Sequence, residues 1–498
     1  MIKHIYPVLI LLMLMLHLSV NAPAQQVMLS PATLDEITLG YNKVIGQNEN
    51  GFFVLMSNLS LNMESDRVGF KNRKYKLTYF DKSLVMKWEK SLEPTSKDAN
   101  IDAVTFFNGQ ILVVSSVQKR NESKVVCYVS TYDDAGNKSS LDQPVCEFSP
   151  VKSDYEKSKI IISSGRERFA IVLREYTDDV SQTIFASIHD TSYSSLEKKS
   201  VIIPFGLKSF EVTSYVISDK NDMIVLGMNS EKIKALSSKR KIDYFAYSSR
   251  VGESVFKEFK ISAEKIITGI DVAFDNINNH AVFAGFFAQP DSYTGAGIFY
   301  ASLDMDKNDE IKIKTSGIDG QGNIKLRSDR NSASGMSIIG YPIDRILLRD
   351  DGGAVIVAEA AYTTEYSYYD SFSQSFTRRL EYHFENVAVI SINSDGSIHW
   401  SAVIEKDQVS MDDGGIYSSF CSMLNSENLV VLYNSDISKH NTVKPATVDN
   451  KGKLIQGKPF ASTEGLLLLP RSGKQVSENS ILVPAYKKRK LYLALFTL

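Results

Sequence analysis

The sequence predicts an all-β protein: a single closed β-propeller of four-stranded antiparallel blades, with eight blades favoured over seven. Short runs of β-branched and aromatic residues recur every 52 to 75 residues, about the long end of four-stranded propeller repeats. A polar turn residue follows the third strand of most units. Stretches with helical periodicity are nearly absent, which favours strands throughout the chain.

Each recurring run is the second strand of a four-strand unit. The runs begin at Gly51, Gln110, Arg168, Asp222, His280, Gly353, Asn428 and Ser480. A shorter strand and a turn precede the run, a third strand follows it, and a fourth strand such as "MKWEKSL" or "IHWSAVI" ends the unit. We therefore expect an antiparallel meander with strands a, b, c and d in chain order.

The end of the third strand carries the most regular signal. It falls on an Asp, Asn or Ser in most units: Asp81, Asp133, Asp190, Ser248, Asp304, Asn393 and Asp449. These side chains accept hydrogen bonds from the backbone of their own turn. Trp88 and Trp400 lie at the same offset from Asp81 and Asn393, which supports the alignment of the units.

Eight units of about 58 residues account for nearly all of residues 25–498. The last unit supplies only three strands, and the N-terminal "QQVMLS" is available to complete its blade. A closed ring of this kind buries each sheet against its neighbours and protects the strand edges. A seven-bladed ring with one atypical repeat is the alternative, and a split into two propellers is less favoured.

Residues 1–24 have the features of a cleaved signal peptide. Lys3 and His4 give a positive start, "VLILLMLML" is an apolar core, and Ala22-Pro23-Ala24 fits the cleavage pattern. The core is short for a bilayer span, although an uncleaved anchor is the alternative. No cysteine follows the core, and no later segment approaches the ~18 apolar residues of a membrane helix. We expect a protein exported to the periplasm or outside the cell, with no lipid anchor and no transmembrane segment after signal cleavage.

Three long segments interrupt the short turns of the repeat: residues 314–341, 362–386 and 405–417. The first and third are d–a connections, and the second is a b–c connection. In a meander these two kinds of connection lie on the same face of the disc, so the three segments are expected together on adjacent blades. Because binding residues usually lie on long loops of a rigid scaffold, we expect a protein or glycan partner on this b–c/d–a face.

Residues 362–386 are predicted to form a protruding hairpin that turns near Phe372. That register places the outgoing tyrosines and the returning apolar residues on one face, and sets Glu365 beside Arg379. The candidate binding residues are Tyr362, Tyr366, Tyr368, Arg378 and Tyr382 in the hairpin, with Asp412, Asp413 and Tyr417 in the next d–a segment. Tyrosine is common at interfaces because it joins a large apolar body to a polar tip. The alternative is that the aromatic side folds over its own blade and lengthens the core.

After the hairpin comes "ENVAVISINSDGSIHWSAVIEKDQVSMDDGGIYSSF", residues 385–420. This arrangement resembles uncharacterised exported β-propeller-like proteins of Gram-negative bacteria, with repeats of the quinoprotein-like or WD40-like kind. The matching segment covers less than a tenth of the chain. The resemblance implies an exported propeller and brings no established activity. Quinoprotein dehydrogenase activity is disfavoured, since the chain has only two tryptophans and no Cys-Cys pair.

Cys127 and Cys146 flank the turn "DDAGNKSS". A hairpin centred on this turn places them opposite each other, at a separation that a disulfide can bridge. The sequence does not decide whether the two cysteines form a disulfide or remain free thiols. Cys421 fits a small buried apolar residue, and no pair of histidines has the spacing of a metal motif. We expect no catalytic residues, no metal site and no cofactor.

The chain is 43% hydrophobic and 23% charged, with a formal net charge of -2. This composition is that of a folded protein and gives no general attraction to nucleic acid. We expect a monomer that serves as a non-catalytic protein- or glycan-binding scaffold of the bacterial cell envelope. The alternative is a carbohydrate-active or other hydrolytic propeller enzyme with acidic residues at the central channel, which would need a convergent pair of carboxylates.

Overall fold

The computed structural model describes residues 26–32, 41–57, 75–119, 122–139, 142–150, 155–156, 158–176, 180–232, 240–262, 266–289, 292–317, 341–370, 374–438, 440–488 and 490–498. The predicted signal peptide and most of the 314–341 segment lie outside these residues. The described chain forms eight antiparallel sheets, with helical structure confined to short 3-10 turns such as Ala461–Thr463 and Pro470–Ser472. The all-β prediction is confirmed, and the number of sheets matches the favoured eight. No helix among the described residues is long and apolar enough to cross a membrane.

The first four sheets follow one another along the chain, and each is a meander with its strands in chain order. Sheet I contains β2 (Tyr41–Gln47), β3 (Gly51–Ser57), β4 (Tyr75–Asp81) and β5 (Met86–Leu92). Sheet II contains β6 (Ala99–Phe107), β7 (Gln110–Lys119), β8 (Lys124–Tyr132) and β9 (Gln143–Phe148). Sheet III contains β10 (Lys159–Ile162), β11 (Phe169–Tyr176), β12 (Gln182–His189) and β13 (Ser195–Ile203). Sheet IV contains β14 (Phe210–Ile217), β15 (Met223–Lys232), β16 (Arg240–Ser249) and β17 (Lys257–Ile261).

The last four sheets keep this plan, with additions to two of them. Sheet V contains β18 (Ile266–Asp275), β19 (His280–Gln289), β20 (Ser292–Asp304) and β21 (Ile311–Gly317). Sheet VI contains β22 (Ile343–Leu348), β23 (Ala354–Asp370), β24 (Ser375–Ile392), β25 (Ile398–Ile404) and the added β26 (Gln408–Met411). Sheet VII contains β27 (Phe420–Leu424), β28 (Asn428–Asn434), β29 (Val443–Asp449) and β30 (Leu454–Gln456). Sheet VIII contains β31 (Leu467–Leu468), β32 (Lys474–Ser477), β33 (Ser480–Lys487), β34 (Lys490–Thr497) and the N-terminal β1 (Gln26–Leu29).

Burial follows the position of a strand within its sheet. Every residue of β3 and β11, two second strands, is buried. The fourth strand β13 instead alternates buried and exposed residues over its second half. A strand packed on both faces needs apolar side chains at most positions, whereas an edge strand needs them at alternate positions. The continuous apolar runs of the sequence are therefore the second strands.

The predicted polar residues close the turns between third and fourth strands. Asp81 Oδ1 accepts hydrogen bonds from the backbone N–H groups of Ser83 and Val85, both at 2.9 Å. Asp449 Oδ1 accepts the equivalent bonds from Lys451 at 2.9 Å and Lys453 at 2.8 Å. The same pattern occurs at Asp133 and Asp190. The repeated Asp is thus a turn-closing residue, as predicted.

The two tryptophans have equivalent contacts with the next sheet along the chain. Trp88 Nε1 donates to the carbonyl oxygen of Asp134 at 3.2 Å, and Trp400 Nε1 donates to that of Asn450 at 3.0 Å. A glycine at positive φ lies under each ring, Gly136 and Gly452. A Cβ atom at either glycine would lie within 2.8 Å of the indole, so no larger residue fits. The shared offset seen in the sequence therefore reflects one repeated contact between sheets.

Eight apolar cores lie between sheets. Seven join consecutive sheets from I to VIII and are built mainly from second and third strands, with first-strand residues and, in most of them, fourth-strand residues. The eighth contains Val44 and Phe52 of sheet I together with Leu482 and Leu493 of sheet VIII. First strands of neighbouring sheets also contact one another, including β2 with both β6 and β32. The a–b turns of several sheets are therefore brought close together in space.

The N-terminal strand adds to the last sheet, as predicted. β1 pairs antiparallel with β34, with Gln26 opposite Thr497 and Leu29 opposite Ala494. Val27 and Leu29 pack against the core between sheets VII and VIII. The first and last described strands of the chain are therefore hydrogen-bonded neighbours.

Candidate functional site

The longest hairpin of the described chain is the predicted b–c connection of sheet VI. β23 and β24 pair from Ala354↔Ile392 out to Asp370↔Ser375. β22 pairs with only the first residues of β23, as far as Ala358, and β25 reaches β24 only as far as Val387. The outer half of the hairpin therefore continues beyond the four-stranded part of its sheet.

The register of this hairpin differs from the prediction by one residue. Tyr366 pairs with Arg379 and Tyr369 pairs with Phe376, whereas a turn centred on Phe372 would have paired Tyr366 with Arg378. Directly paired residues share a face, and a shift of one residue moves a side chain to the other face. Tyr362, Tyr366 and Tyr368 therefore lie on one face, and the returning apolar residues lie on the opposite face. The prediction that the tyrosines and the returning apolar residues share one face is therefore wrong.

The predicted pairing of Glu365 with Arg379 is also wrong. Glu365 pairs with Leu380 on the neighbouring strand. Its carboxylate binds Arg378 instead, with Arg378 Nε 2.6 Å from Oε1 and Nη2 2.5 Å from Oε2. Arg378 is thus held along the hairpin by a two-point ion pair, and its side chain stays 71% exposed.

The d–a segment 405–417 is joined to this hairpin. β26 lies within the segment and pairs with β24, from Phe384↔Gln408 to Glu381↔Met411. Asp412 continues the contact, since its Oδ1 accepts from the N–H of Leu380 at 2.9 Å. Two of the three predicted insertions therefore form one three-stranded protrusion, which we call the hairpin unit (residues 362–386 and 405–417).

One face of the hairpin unit carries the predicted tyrosines. The Tyr362 ring stacks on His383 with centroids 4.5 Å apart, and its hydroxyl donates to Glu385 Oε1 at 2.9 Å. Tyr368 lies under the guanidinium of Arg379, 5.4 Å from the ring centroid. Tyr366 and Tyr368 are each 39% exposed. The inner tyrosine thus has a packing role, and the two outer ones reach solvent.

The other face is apolar at its tip. Phe376 and Tyr369 are 75% and 56% exposed, with ring centroids 5.4 Å apart. Leu380 follows on the same face and is 37% exposed. Tyr382, also on this face, is half-buried and pairs with Ser410 of β26. The candidate binding residues predicted from the sequence did not include Phe376 and Tyr369, although these are the most exposed aromatic residues among those described.

The remaining predicted binding residues have structural contacts. Asp413 Oδ1 accepts from Ser410 Oγ at 2.7 Å and from the N–H of Gly415 at 2.8 Å, which closes the turn after β26. Tyr417 packs edge-on against Tyr486, with centroids 6.0 Å apart, and burial raises its pKa to about 12. Binding roles for these two residues remain predictions.

A buried polar network supports the base of the hairpin unit. Lys406 Nζ lies 2.6 Å from Glu359 Oε1, and both side chains are less than a tenth exposed. Gln408 accepts from Lys406 Nζ at 3.0 Å and donates to the carbonyl of Asn434 at 2.7 Å. Asn434 in turn donates to the carbonyls of Tyr417 and Leu468. This network joins sheets VI, VII and VIII beneath the protrusion.

A cavity that sequence reasoning missed lies at the opposite end of the sheets. Its volume is about 440 Å³, and it is lined by Gly46, Gln47, Phe106, Asn108, Gly109, Arg166, Lys474, Gln475 and Val476. These residues come from the a–b ends of sheets I, II, III and VIII. Arg166 and Lys474 are more than 300 positions apart in the sequence, so no local signal could have joined them.

Lys474 gives this cavity a testable pH dependence. Burial, with Arg166 and Lys43 nearby, lowers its pKa from 10.5 to about 8. Between these two pH values the native state binds fewer protons than the unfolded state, so stability rises with pH. From pH 7 to pH 9.5 we expect the native protein to gain roughly 1 to 2 kcal/mol relative to Lys474→Gln in urea unfolding.

The matched control for this pH dependence is Lys220→Gln, which alters an exposed lysine in the a–b turn of sheet IV. This substitution should leave the dependence unchanged. The expected result would be contradicted if the difference in free energy of unfolding between the native protein and Lys474→Gln stayed constant across this pH range.

Cys127 and Cys146 pair directly across β8 and β9, and both are buried. Their predicted opposition is confirmed. They are free thiols in this structure, so the disulfide remains a prediction. Cys421 is buried as expected, and burial raises its pKa to about 12. No group of three potential metal ligands occurs among the described residues.

No known protein family matches the sequence, and neither does any curated protein. Among solved structures, the chain is similar to an apocarotenoid oxygenase of Synechocystis, at 8% identity and a TM-score of 0.36, covering 88% of this chain and 94% of that one. It is also similar to Sqt1 of Chaetomium thermophilum bound to the N-terminus of a ribosomal protein, at 12% identity and a TM-score of 0.42, covering 94% of this chain and 100% of that one. A third is the arabinofuranosidase ARB93A of Fusarium graminearum, at 9% identity and a TM-score of 0.30, covering 68% and 92%. These similarities assign neither a family nor an activity.

Proposed function

We propose that this protein is an exported, closed eight-bladed propeller that binds a partner protein through the hairpin unit and acts as a scaffold. The observation that carries this proposal is the concentration of exposed apolar side chains on the protrusion. Among the described residues, the four exposed aromatic side chains all lie there: Tyr366, Tyr368, Tyr369 and Phe376. Leu380, Val409 and Met411 add exposed aliphatic surface beside them. Clustered exposed apolar residues are typical of protein interaction sites.

Ring closure is supported by packing between the first and last sheets. Sheet VIII shares an apolar core with sheet VII on one side and with sheet I on the other. The pairing of β1 with β34 ties the N-terminal strand into that same sheet. Export is supported by the features of residues 1–24, a positive start, an apolar core and a small-residue cleavage pattern.

The shape of the protrusion favours a partner that contributes an extended segment. Within the described chain, β23 is paired only with β24 from Thr363 to Asp370, so its other edge is unpaired there. This edge has the sequence "TTEYSYYD", without the proline or lysine that commonly blocks strand addition. A partner strand would gain backbone hydrogen bonds from the edge and side-chain contacts from Tyr366 and Tyr368.

The proposal is tested by site-specific photocrosslinking in envelope extract. A benzophenone side chain is placed at positions 364, 366 and 368 in turn, with Ile277, 73% exposed in the a–b turn of sheet V, as the control position. If a partner strand pairs with β23, the crosslinks should fall in one segment of one protein, and the crosslinked position should move by two residues each time the probe moves by two. Crosslinks to unrelated proteins, or equal labelling from position 277, would contradict the proposal, and recovery of a glycan would favour a carbohydrate partner.

A truncation of the hairpin supplies the matching binding test. Replacing residues 367–378 with Asn-Gly keeps the Tyr366↔Arg379 pair and closes the strands with a favoured two-residue turn. We expect the free energy of unfolding to change by less than about 1 kcal/mol, because most of the described residues that are removed are exposed. Partner capture should fall at least tenfold. Unfolding of this variant would show that the tip is part of the core, as in the alternative reading of the aromatic face.

The hydrolytic alternative gains no support from the cavity at the other end. Glycoside hydrolysis needs a pair of carboxylates flanking the substrate. The residues that line this cavity include two cations and no carboxylate. Within the described part of the chain, the scaffold proposal is therefore the better supported of the two.

A further inference from the structure

We propose that the cavity at the a–b end of sheets I, II, III and VIII is a binding site for a small oxyanion-bearing molecule, held by Arg166 and Lys474. This site is independent of the hairpin unit, because the a–b turns lie at the opposite ends of the strands from the b–c connection of sheet VI. Its ligand would carry a carboxylate or a phosphate group.

The first argument is uncompensated positive charge. Lys474 Nζ donates to the backbone carbonyl of Ile45, and the positive charges of Arg166 and Lys43 lie close enough to disfavour its protonation. Within the described residues, none of these three cations forms an ion pair. Lys474 is half-buried, whereas Arg166 and Lys43 are exposed, so the repulsion acts mainly on the Lys474 ammonium, and a bound anion would relieve it.

The second argument is that the cations are held in place. Arg166 lies at positive φ, 61°, and its N–H donates to the carbonyl of Ser163 at 2.9 Å, so the turn that carries it is closed. Its Nη2 donates to the carbonyl of Phe106, which directs the side chain from sheet III toward sheet II. A guanidinium has five N–H donors, and this contact uses one of them. The others could bind two oxygens of one carboxylate or phosphate.

The third argument is the frame around the cations. Gln47 Nε2 donates to the carbonyl of Val476, which ties β2 to β32 at the cavity wall. Gln475 is held in the same way by Leu424, accepting from its N–H at 3.0 Å and donating to its carbonyl at 2.7 Å. The Gln47 and Gln475 side chains are therefore already hydrogen-bonded within the protein. Arg166 and Lys474 are the charged residues among those that line the cavity.

The size of the cavity defines the ligand class further. A volume of about 440 Å³ is in the range of small-molecule sites. Phe106 and Val476 supply apolar lining beside the two cations. A compact organic acid or a small phosphate ester suits this combination better than a polymer does.

The test uses the full-length mature chain with two probes, citrate and inorganic phosphate, titrated by calorimetry at constant ionic strength. We expect at least one probe to bind, with at least tenfold weaker affinity in both Arg166→Gln and Lys474→Gln. Lys220→Gln, the exposed lysine of the sheet IV a–b turn, should bind as the native protein does. Preference for citrate or for phosphate identifies the oxyanion.

A second readout does not depend on affinity in the variants. Acetylation of Lys474 at pH 8, followed by mass spectrometry, should slow at least threefold when the bound probe keeps the amine protonated and covered. Lys220 should be modified at the same rate with and without the probe. Absence of binding by both probes up to 10 mM, roughly the weak limit for such sites, would overturn the proposal. Equal weakening in Lys220→Gln would overturn it too, because it would show general charge screening.

Discussion

Lys406→Ala is expected to lower the free energy of unfolding by about 3 to 5 kcal/mol, measured by urea denaturation at pH 7. Lys406 Nζ lies 2.6 Å from Glu359 Oε1, with the two side chains 1% and 8% exposed. Burial holds the pKa of Lys406 below its usual value, and Glu359 opposes that effect. Removing the cation leaves the buried Glu359 carboxylate without a counter-charge, with only the Ser419 hydroxyl donating to its Oε2 at 2.6 Å.

The matched control is an exposed ion pair. Lys87 lies 2.7 Å from Asp81 with 50% of its side chain exposed, so Lys87→Ala should cost less than about 1 kcal/mol. In the double variant Glu359→Met with Lys406→Met, at least half of the lost stability should return, because both charges are removed together. A loss below about 1 kcal/mol in Lys406→Ala would show that water reaches the site and that the hairpin unit has a looser base.

Asn434→Ala is the second substitution with a large expected effect, about 2 to 5 kcal/mol in the same measurement. The Asn434 side chain is fully buried and donates to the carbonyls of Tyr417 at 2.7 Å and Leu468 at 3.0 Å. Its Oδ1 accepts from the N–H of Leu468 at 3.0 Å and from Asn441 Nδ2 at 2.8 Å. Alanine would leave several of these buried backbone groups without a partner, since the site is packed away from water.

Two comparisons make the Asn434 result specific. Asn434→Asp keeps the shape but loses both donors, so it should be at least as destabilising as alanine. Asn425→Ala alters a half-buried turn asparagine of the same sheet, whose Oδ1 accepts from the N–H groups of Glu427 and Asn428. This control should cost about 1 kcal/mol or less. Similar losses at positions 434 and 425 would contradict a special role for the buried amide.

Much of the fold could be predicted because its signal is local and repeated. A second strand packed on both faces is apolar at most positions, as in "GFFVLMS" of β3, and a run of this kind recurs once per sheet. The turn-closing Asp81 and its equivalents mark the end of each third strand. The pairing of β1 with β34 could be predicted because the last unit has only three strands of its own and the N-terminal strand is available as the fourth.

The candidate sites were harder to predict, because they depend on the exact strand register and on contacts between residues that are far apart in the sequence. The hairpin of sheet VI was expected, but a one-residue shift in its turn places Tyr366 opposite Arg379 and reverses which residues share a face. The sequence of β26 predicts a loop, because its four residues have no strand signal of their own and form a strand only by pairing with β24. Arg166 and Lys474 meet only because the first strands of different sheets converge.

The pairing of Gln26 with Thr497 also has a consequence for how the chain folds. Seven sheets are built from contiguous segments and can form soon after their residues are available. The last sheet needs a strand from each end, which closes a loop of roughly 470 residues at an entropic cost of about 5 kcal/mol plus a constant. Non-local contacts of this kind are associated with slow folding. Without β1, one edge of β34 has no strand partner, and an unpaired strand edge favours aggregation.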